Sequence, residues 1–210
     1  MAKKSLIIFA SLTGNTERVA MRFKKVFDKL GWECDMFKVE PDPNLNFSLP
    51  HNPKLTDFPY DLKDYDFLCV GSPVHEGQPM REIINTLFNN PYSPHSHGMG
   101  LSAEDEARFR ANPFVILSPQ DPKGIVFVTY GGVHMGPPEA LPALASLEHE
   151  LVHLRFQCVG RFACPGKMGM DGQKSRKPMP AWHHDLDKRP HERDLMKAEI
   201  FLEEILEDLH

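Results

Sequence analysis

The 210 residues suffice for one sizeable core, and 41% hydrophobic with 25% charged residues is ordinary for a globular protein. A formal charge of −5 gives no electrostatic case for nucleic acid as a partner. No apolar run approaches the roughly 20 residues that span a bilayer, and the apolar run after Met-Ala-Lys-Lys-Ser is too short for a signal peptide, so a cytoplasmic location is expected.

Apolar runs alternate with helical patterns, the signature of a parallel α/β sheet. A first strand is expected over residues 5–10. The helix after it carries Val19, Phe23, Val26, Phe27 and Leu30 at helical spacing and ends at Gly31. A second strand over 32–39 runs into the turn Pro41-Asp42-Pro43-Asn44, and residues 44–62 read as irregular. The third strand, 66–70, is short and apolar, hence buried on both faces, and is expected to break at Gly71-Ser72-Pro73. A helix follows from Pro79 to about Phe88.

Residues 89–123 are the least regular, with one short helix expected from Ser102 to about Arg110. Strand four, 125–129, meets Gly131-Gly132, and Pro137-Pro138-Glu139 opens a helix expected to turn Leu141, Leu144, Leu147, Leu151 and Leu154 to the core. Strand five spans about 156–162. A polar loop from Gly166 to Arg189 precedes a last helix with Leu195, Ala198, Phe201, Leu202, Ile205 and Leu209 on one face. The expected fold is a single α/β domain over 1–210, a doubly wound parallel sheet of five strands with helices on both faces. In such a sheet ligands bind at the carboxyl ends of the strands.

Three strand ends carry unusual chemistry. After strand one, Ser11-Leu12-Thr13-Gly14-Asn15-Thr16 lies between a buried strand and a helix N-terminus. Backbone N–H groups, the positive end of the helix dipole and three hydroxyls can converge there on one dianion. The loop has no Lys or Arg and matches neither the triphosphate loop nor the dinucleotide glycine pattern, so a single terminal phosphate suits it best. After strand three comes Ser72-Pro73-Val74-His75-Glu76-Gly77, and after strand four Thr129-Tyr130-Gly131-Gly132 with His134 beyond. Gly71, Gly77, Gly131 and Gly132 permit close backbone approach or positive φ.

The four cysteines, Cys34, Cys69, Cys158 and Cys164, form no Cys-x-x-Cys pair; structural or inert roles are expected for all four, with Cys34 and Cys69 buried reduced thiols in strand-like segments. His95, His97, His183, His184 and His191 have loop-like flanks without an acidic or cysteine partner at ligand spacing. They read as solvated loop residues rather than metal ligands. No Ser/His/Asp or Cys/His grouping suggests nucleophilic catalysis.

Together the three loops resemble the flavodoxin family, FMN-binding electron carriers and their reductase relatives, and in particular its broader, non-short-chain members. Residues 11–16 are similar to the family's FMN-phosphate loop, 65–75 to its third strand and second flavin loop, and 128–132 to its third loop. The charged stretch 189–195 resembles the entry to its last helix. The segments at about 42–60, 90–122 and 166–188 stand outside the resemblance, the last two as insertions. The resemblance implies strand order 2-1-3-4-5, a non-covalent FMN, and Glu76-Gly77 as the peptide that adapts to the redox state of the flavin. His75, Tyr130 and His134 stand where many short flavodoxins bracket the ring with Trp and Tyr. It implies no obligatory acid or base among the side chains. Two functions follow: an electron carrier serving a redox partner protein, or an FMN-dependent oxidoreductase acting on NAD(P)H and a quinone-type acceptor. A non-redox scaffold without the cofactor is a third. The two insertions can wall a pocket over the flavin or form a homo-oligomer interface.

Overall fold

The computed structural model describes residues 3–40, 58–88, 122–131, 136–167 and 188–209. Five parallel strands, β1 (Lys4–Ala10), β2 (Glu33–Val39), β3 (Phe67–His75), β5 (Lys123–Tyr130) and β6 (Gln157–Pro165), lie in the order β2-β1-β3-β5-β6. A two-residue strand, β4 (Gln78–Pro79), folds back antiparallel on β3. Counting only the long strands, this is the expected 2-1-3-4-5 order.

The period-two alternation of a strand decides what covers each face. Leu6, Ile8, Leu68, Val70, Val126 and Val128 pack with α2 (Arg81–Phe88) and α3 (Leu141–His153). Their neighbours Ile7, Phe9, Phe67, Cys69, Ile125 and Phe127 pack with α1 (Asn15–Lys29) and α4 (Glu192–Glu207). Both faces are apolar, so the strands read as continuous hydrophobic runs. On the second face Phe23 stands edge-on to Phe127, centroids 5.0 Å apart.

The structure corrects three readings. β3 does not break at Gly71-Ser72-Pro73 but continues to His75, with Gly71, Ser72 and Pro73 in register with Phe127, Val128 and Thr129. Its pairing with β1 ends at Gly71, so Pro73 sits where β3 has lost a neighbour and an N–H can be spared. Gly71 has no positive φ, and a Cβ there would overlap the Phe127 ring, so packing between strands explains this glycine. Leu141, expected in the core, is 57% exposed. At about 100° per residue it falls roughly 100° away from the stripe formed by Leu144, Leu147, Leu151 and Leu154. Leu30, likewise expected on the buried face of α1, is exposed at its C-cap.

The expected helix 102–110 and most of both insertions lie outside the described residues, while Gly166, Lys167 and Lys188 lie within them. The irregular 44–62 segment is described from Phe58. It leads into a 3-10 turn, Leu62–Asp64, whose Lys63 N–H is taken by Asp61 Oδ1 at 2.9 Å. Cys69 and Cys164 are buried and Cys34 and Cys158 partly so. Burial pushes each thiol up, Cys34 to about 11 and Cys164 to about 12. Among the described residues no helix is long and apolar enough to cross a membrane.

Candidate functional site

The carboxyl ends of β1, β3, β5 and β6 open on one edge of the sheet. The chain leaves β1 at Ser11 and enters α1 through Gly14, whose φ of 81° is the left-handed conformation. A left-handed residue followed by right-handed ones turns successive N–H groups toward one point, making an anion nest at the helix N-terminus. Among the described residues no backbone acceptor takes the N–H of Leu12, Thr13, Gly14, Asn15 or Thr16. The first intrahelical bond is Arg18 N–H to Gly14 O at 3.0 Å.

The side chains of this loop divide into braces and donors. Ser11 is buried, and its Oγ accepts the Glu17 N–H at 3.3 Å, capping the first turn. Thr16 is 1% exposed and shares a 2.8 Å hydrogen bond with Thr129 Oγ1 at the end of β5. Asn15 donates from Nδ2 to Thr13 Oγ1 at 3.0 Å and to the Lys167 carbonyl at 2.9 Å. Thr13 Oγ1 thus accepts inward, and among the described residues no acceptor takes its own hydroxyl proton. Leu12, 52% exposed, stands at the rim.

Behind the loop a second layer holds these braces. Gly166 N–H donates to Tyr130 O at 2.8 Å, and Lys167 N–H to Arg189 O at 3.1 Å. Arg189 Nη1 in turn meets both oxygens of Asp194, at 2.9 and 3.1 Å, and Asp194 Oδ2 accepts the His191 N–H at the start of α4. The ends of β5 and β6 and the start of α4 are therefore tied to the 11–16 loop. The sequence reading missed Gly166, Lys167, Arg189 and Asp194 in this role. Their signal is spatial: the Asn15–Lys167 contact joins residues 152 apart, across a loop without periodic pattern.

The second loop is a two-residue hairpin. Val74 pairs with Pro79 and His75 with Gln78, leaving Glu76 and Gly77 at the tip with φ of 51° and 79°. Two positive φ angles in a two-residue loop are the mark of a type I′ turn. Glycine adopts this freely, but glutamate does so at a cost of about 1 kcal/mol or more. Glu76→Asn is therefore expected to raise stability by about 0.5–1 kcal/mol. The check is a higher denaturation midpoint at unchanged m-value; a lower midpoint would show that the Glu76 side chain offsets its own strain. Ser72 is buried beneath the hairpin, its Oγ accepting the Met80 N–H at 2.8 Å and donating to Pro73 O at 2.9 Å. Its hydroxyl thus fastens the hairpin to the start of α2.

His75 and Glu76 are exposed, with Pro73, Val74 and Gly77 partly covered. Of the third loop, Thr129 is buried by its contact with Thr16, and Tyr130 is only 6% exposed, packed within the core on the α2/α3 face. Burial raises the Tyr130 phenol above its ordinary value. Its ring is therefore core and not part of an open surface. Gly131 is described and half-buried, whereas Gly132 and His134 lie outside the described residues.

Solved structures share this architecture along the whole chain. The oxidised Flavodoxin 2 from Bacillus cereus superposes with a TM-score of 0.53 at 18% identity, covering 98% of this chain and 99% of that one. The chain has the flavodoxin-like fold. A short-chain flavodoxin associated with a non-canonical PDU bacterial microcompartment gives a TM-score of 0.54 at 11% identity, with 99% of both chains covered. A flavone reductase gives 0.56 at 12% identity, covering 99% of this chain and 64% of that one. No family model and no curated protein matches the sequence. In the sheet β1 and β3 are the neighbours at which strand order reverses, so the nest and the hairpin flank the switch-point crevice.

Proposed function

We propose that this protein binds FMN non-covalently through residues 11–16, 72–77, 129–132 and 134 and works as a flavodoxin-like redox protein. The observation that carries the reading is the nest at the start of α1. Its N–H groups, Leu12 through Thr16, have no described backbone acceptor, and the side chains around them brace the loop without filling it. A nest lacking a cationic side chain of its own fits one phosphate monoester better than a di- or triphosphate. The fold likeness to flavodoxins supports the choice of flavin for the rest of the ligand.

When bound, FMN supplies the electron or hydride chemistry, and the protein supplies binding, orientation and access. Leu12–Thr16 hold the phosphate through their amides, and Thr13 adds its hydroxyl. Thr16 and Thr129 keep the nest in register with the third loop, while Asn15 ties it to the strand end of β6. Val74, His75, Glu76 and Gly77 would hold the ring through the backbone of their hairpin, which Ser72 supports from below. Thr129, Tyr130 and Gly131 close the end of β5 opposite the hairpin, Tyr130 through its backbone, and Gly132 and His134, outside the described residues, complete the proposed cofactor-binding set. No side chain is assigned as an obligatory acid or base.

Two roles fit this site: an electron carrier exchanging electrons with a redox partner protein, or an FMN-dependent oxidoreductase acting on NAD(P)H and a quinone-type acceptor. Absorbance of the purified protein, alone and after addition of FMN, tests the cofactor. Protein that stays colourless and takes up no FMN would overturn the reading. NADH or NADPH oxidation with a quinone then separates the two roles: rapid turnover without a partner reductase marks the enzyme, and none marks the carrier.

A further inference from the structure

The last two turns of α3 read His149-Glu150-Leu151-Val152-His153. This is the His-Glu-x-x-His pattern, and on a helix its two histidines, four residues apart, stand one above the other on one face. The two imidazoles do so here, with ring centroids 4.0 Å apart. Glu150 reaches the same spot, its Oε2 lying 3.9 Å from His153 Nδ1. Each of the three side chains places one ligand atom within 4.8 Å of the other two. Among the described residues no other three His, Cys, Asp or Glu side chains converge in this way.

From this geometry we infer that His149, Glu150 and His153 form a binding site for a divalent transition metal of the Zn2+ class, separate from the proposed flavin site. Zinc takes imidazole nitrogen at about 2.0–2.1 Å and carboxylate oxygen at about 2.0–2.2 Å, so tetrahedral ligands lie roughly 3.3 Å apart. The 3.9 Å between His153 and Glu150 therefore has to close by about half an ångström, and separations of up to 4.8 Å within the cluster by up to about 1.5 Å, a movement within the reach of side-chain rotation. Two imidazoles and one carboxylate select a borderline metal over the all-oxygen shells of Ca2+ or Mg2+. The site sits in the last turn of its helix, where the dipole favours positive charge. His149 is exposed, which gives the ion an entry path. The adjacent Glu148 is engaged by Arg161 and is not a competing ligand.

Position separates this site from electron transfer. α3 returns across the sheet, so its C-terminal turn lies at the strand edge opposite the nest and hairpin. The metal then clamps the end of α3 without being part of the redox site, and three protein donors leave a coordination position for water or an anion.

Isothermal titration of the metal-stripped full-length protein with Zn2+ alone tests the inference. One ion per chain is expected, with a higher melting temperature when Zn2+ is in excess. His149→Ala and His153→Gln are each expected to weaken binding by at least about tenfold, since even outer-shell losses reach that size. The control is the double variant His183→Ala/His184→Ala, which removes the other adjacent histidine pair and is expected to bind as the parent does. Because His149 is exposed, its variant should melt with the metal-free parent, which separates lost binding from lost folding. Binding that survives His149→Ala and His153→Gln, binding that vanishes only in the His183/His184 variant, or no binding at all overturns the assignment. None of these outcomes depends on whether FMN is bound.

Discussion

Gly71→Ala is expected to cost about 3 kcal/mol of folding stability, at the upper end of the usual penalty for overpacking a core. A Cβ at this position in β3 would lie inside the ring of Phe127, which stands on the adjacent strand β5. That ring cannot simply rotate away. It is fully buried and held edge-on by Phe23 of α1 at 5.0 Å. Relief requires β3 and β5 to separate, or Phe127 to leave its rotamer and push on α1. At roughly 2–4 °C per kcal/mol for a chain of this size, the melting temperature should fall by about 10 °C. A double-mutant cycle supplies the decisive measurement. Phe127→Leu alone loses packing, but it removes the ring atoms that the new methyl would meet. Gly71→Ala should therefore cost much less in the Phe127→Leu background than in the parent. Additive costs would show that the methyl is accommodated elsewhere and that the ring does not explain the glycine.

The same residue marks the limit of what the sequence reveals. Gly71-Ser72-Pro73 has the composition of a turn, and the local rules for Gly and Pro favour ending the strand there. Tertiary pairing with Phe127, Val128 and Thr129 overrides them. By contrast, the sheet order and the division of its faces follow from alternation and helical spacing, because each long strand carries its own pattern. Leu144, Leu147 and Leu151 are core for that reason, and Leu141 departs from it because the stripe is narrower than a list of leucines suggests.

The nest was legible for a different reason. A strand, a hydroxyl-rich turn and a helix start are contiguous in sequence, so their chemistry can be read without knowing the fold. The braces behind it were not, since Gly166, Arg189 and Asp194 reach the nest only through chain folding. His149 and His153 were legible in principle, because a four-residue spacing on one helix is a local signal.

Gly166→Ala is expected to weaken FMN binding by about 10- to 100-fold, equivalent to roughly 1.4–2.8 kcal/mol, while costing about 1–2 kcal/mol of folding stability. The added methyl would stand 2.8 Å from Asn15 Nδ2 and 3.1 Å from its Cγ. Asn15 cannot swing aside without loss, since its amide donates to Thr13 Oγ1 and to the Lys167 carbonyl. Nor can Gly166 retreat freely, because its N–H is given to Tyr130 O. One of these bonds must yield, and each route shifts either the first residue of α1 or the end of β6. The first displaces the amides that would hold the phosphate, so affinity should suffer more than stability. Asn15→Ala removes the two nearest contacts, Nδ2 and Cγ, together with its two hydrogen bonds, and leaves its Cβ at 3.2 Å. In that background most of the overlap is relieved, and the added methyl should weaken FMN binding much less than it does in the parent. A parent-like FMN affinity in Gly166→Ala would sink the idea that Asn15 positions the nest. The folding half of the cycle stays readable without any ligand: a smaller Gly166→Ala cost in the Asn15→Ala background is the signature of their contact.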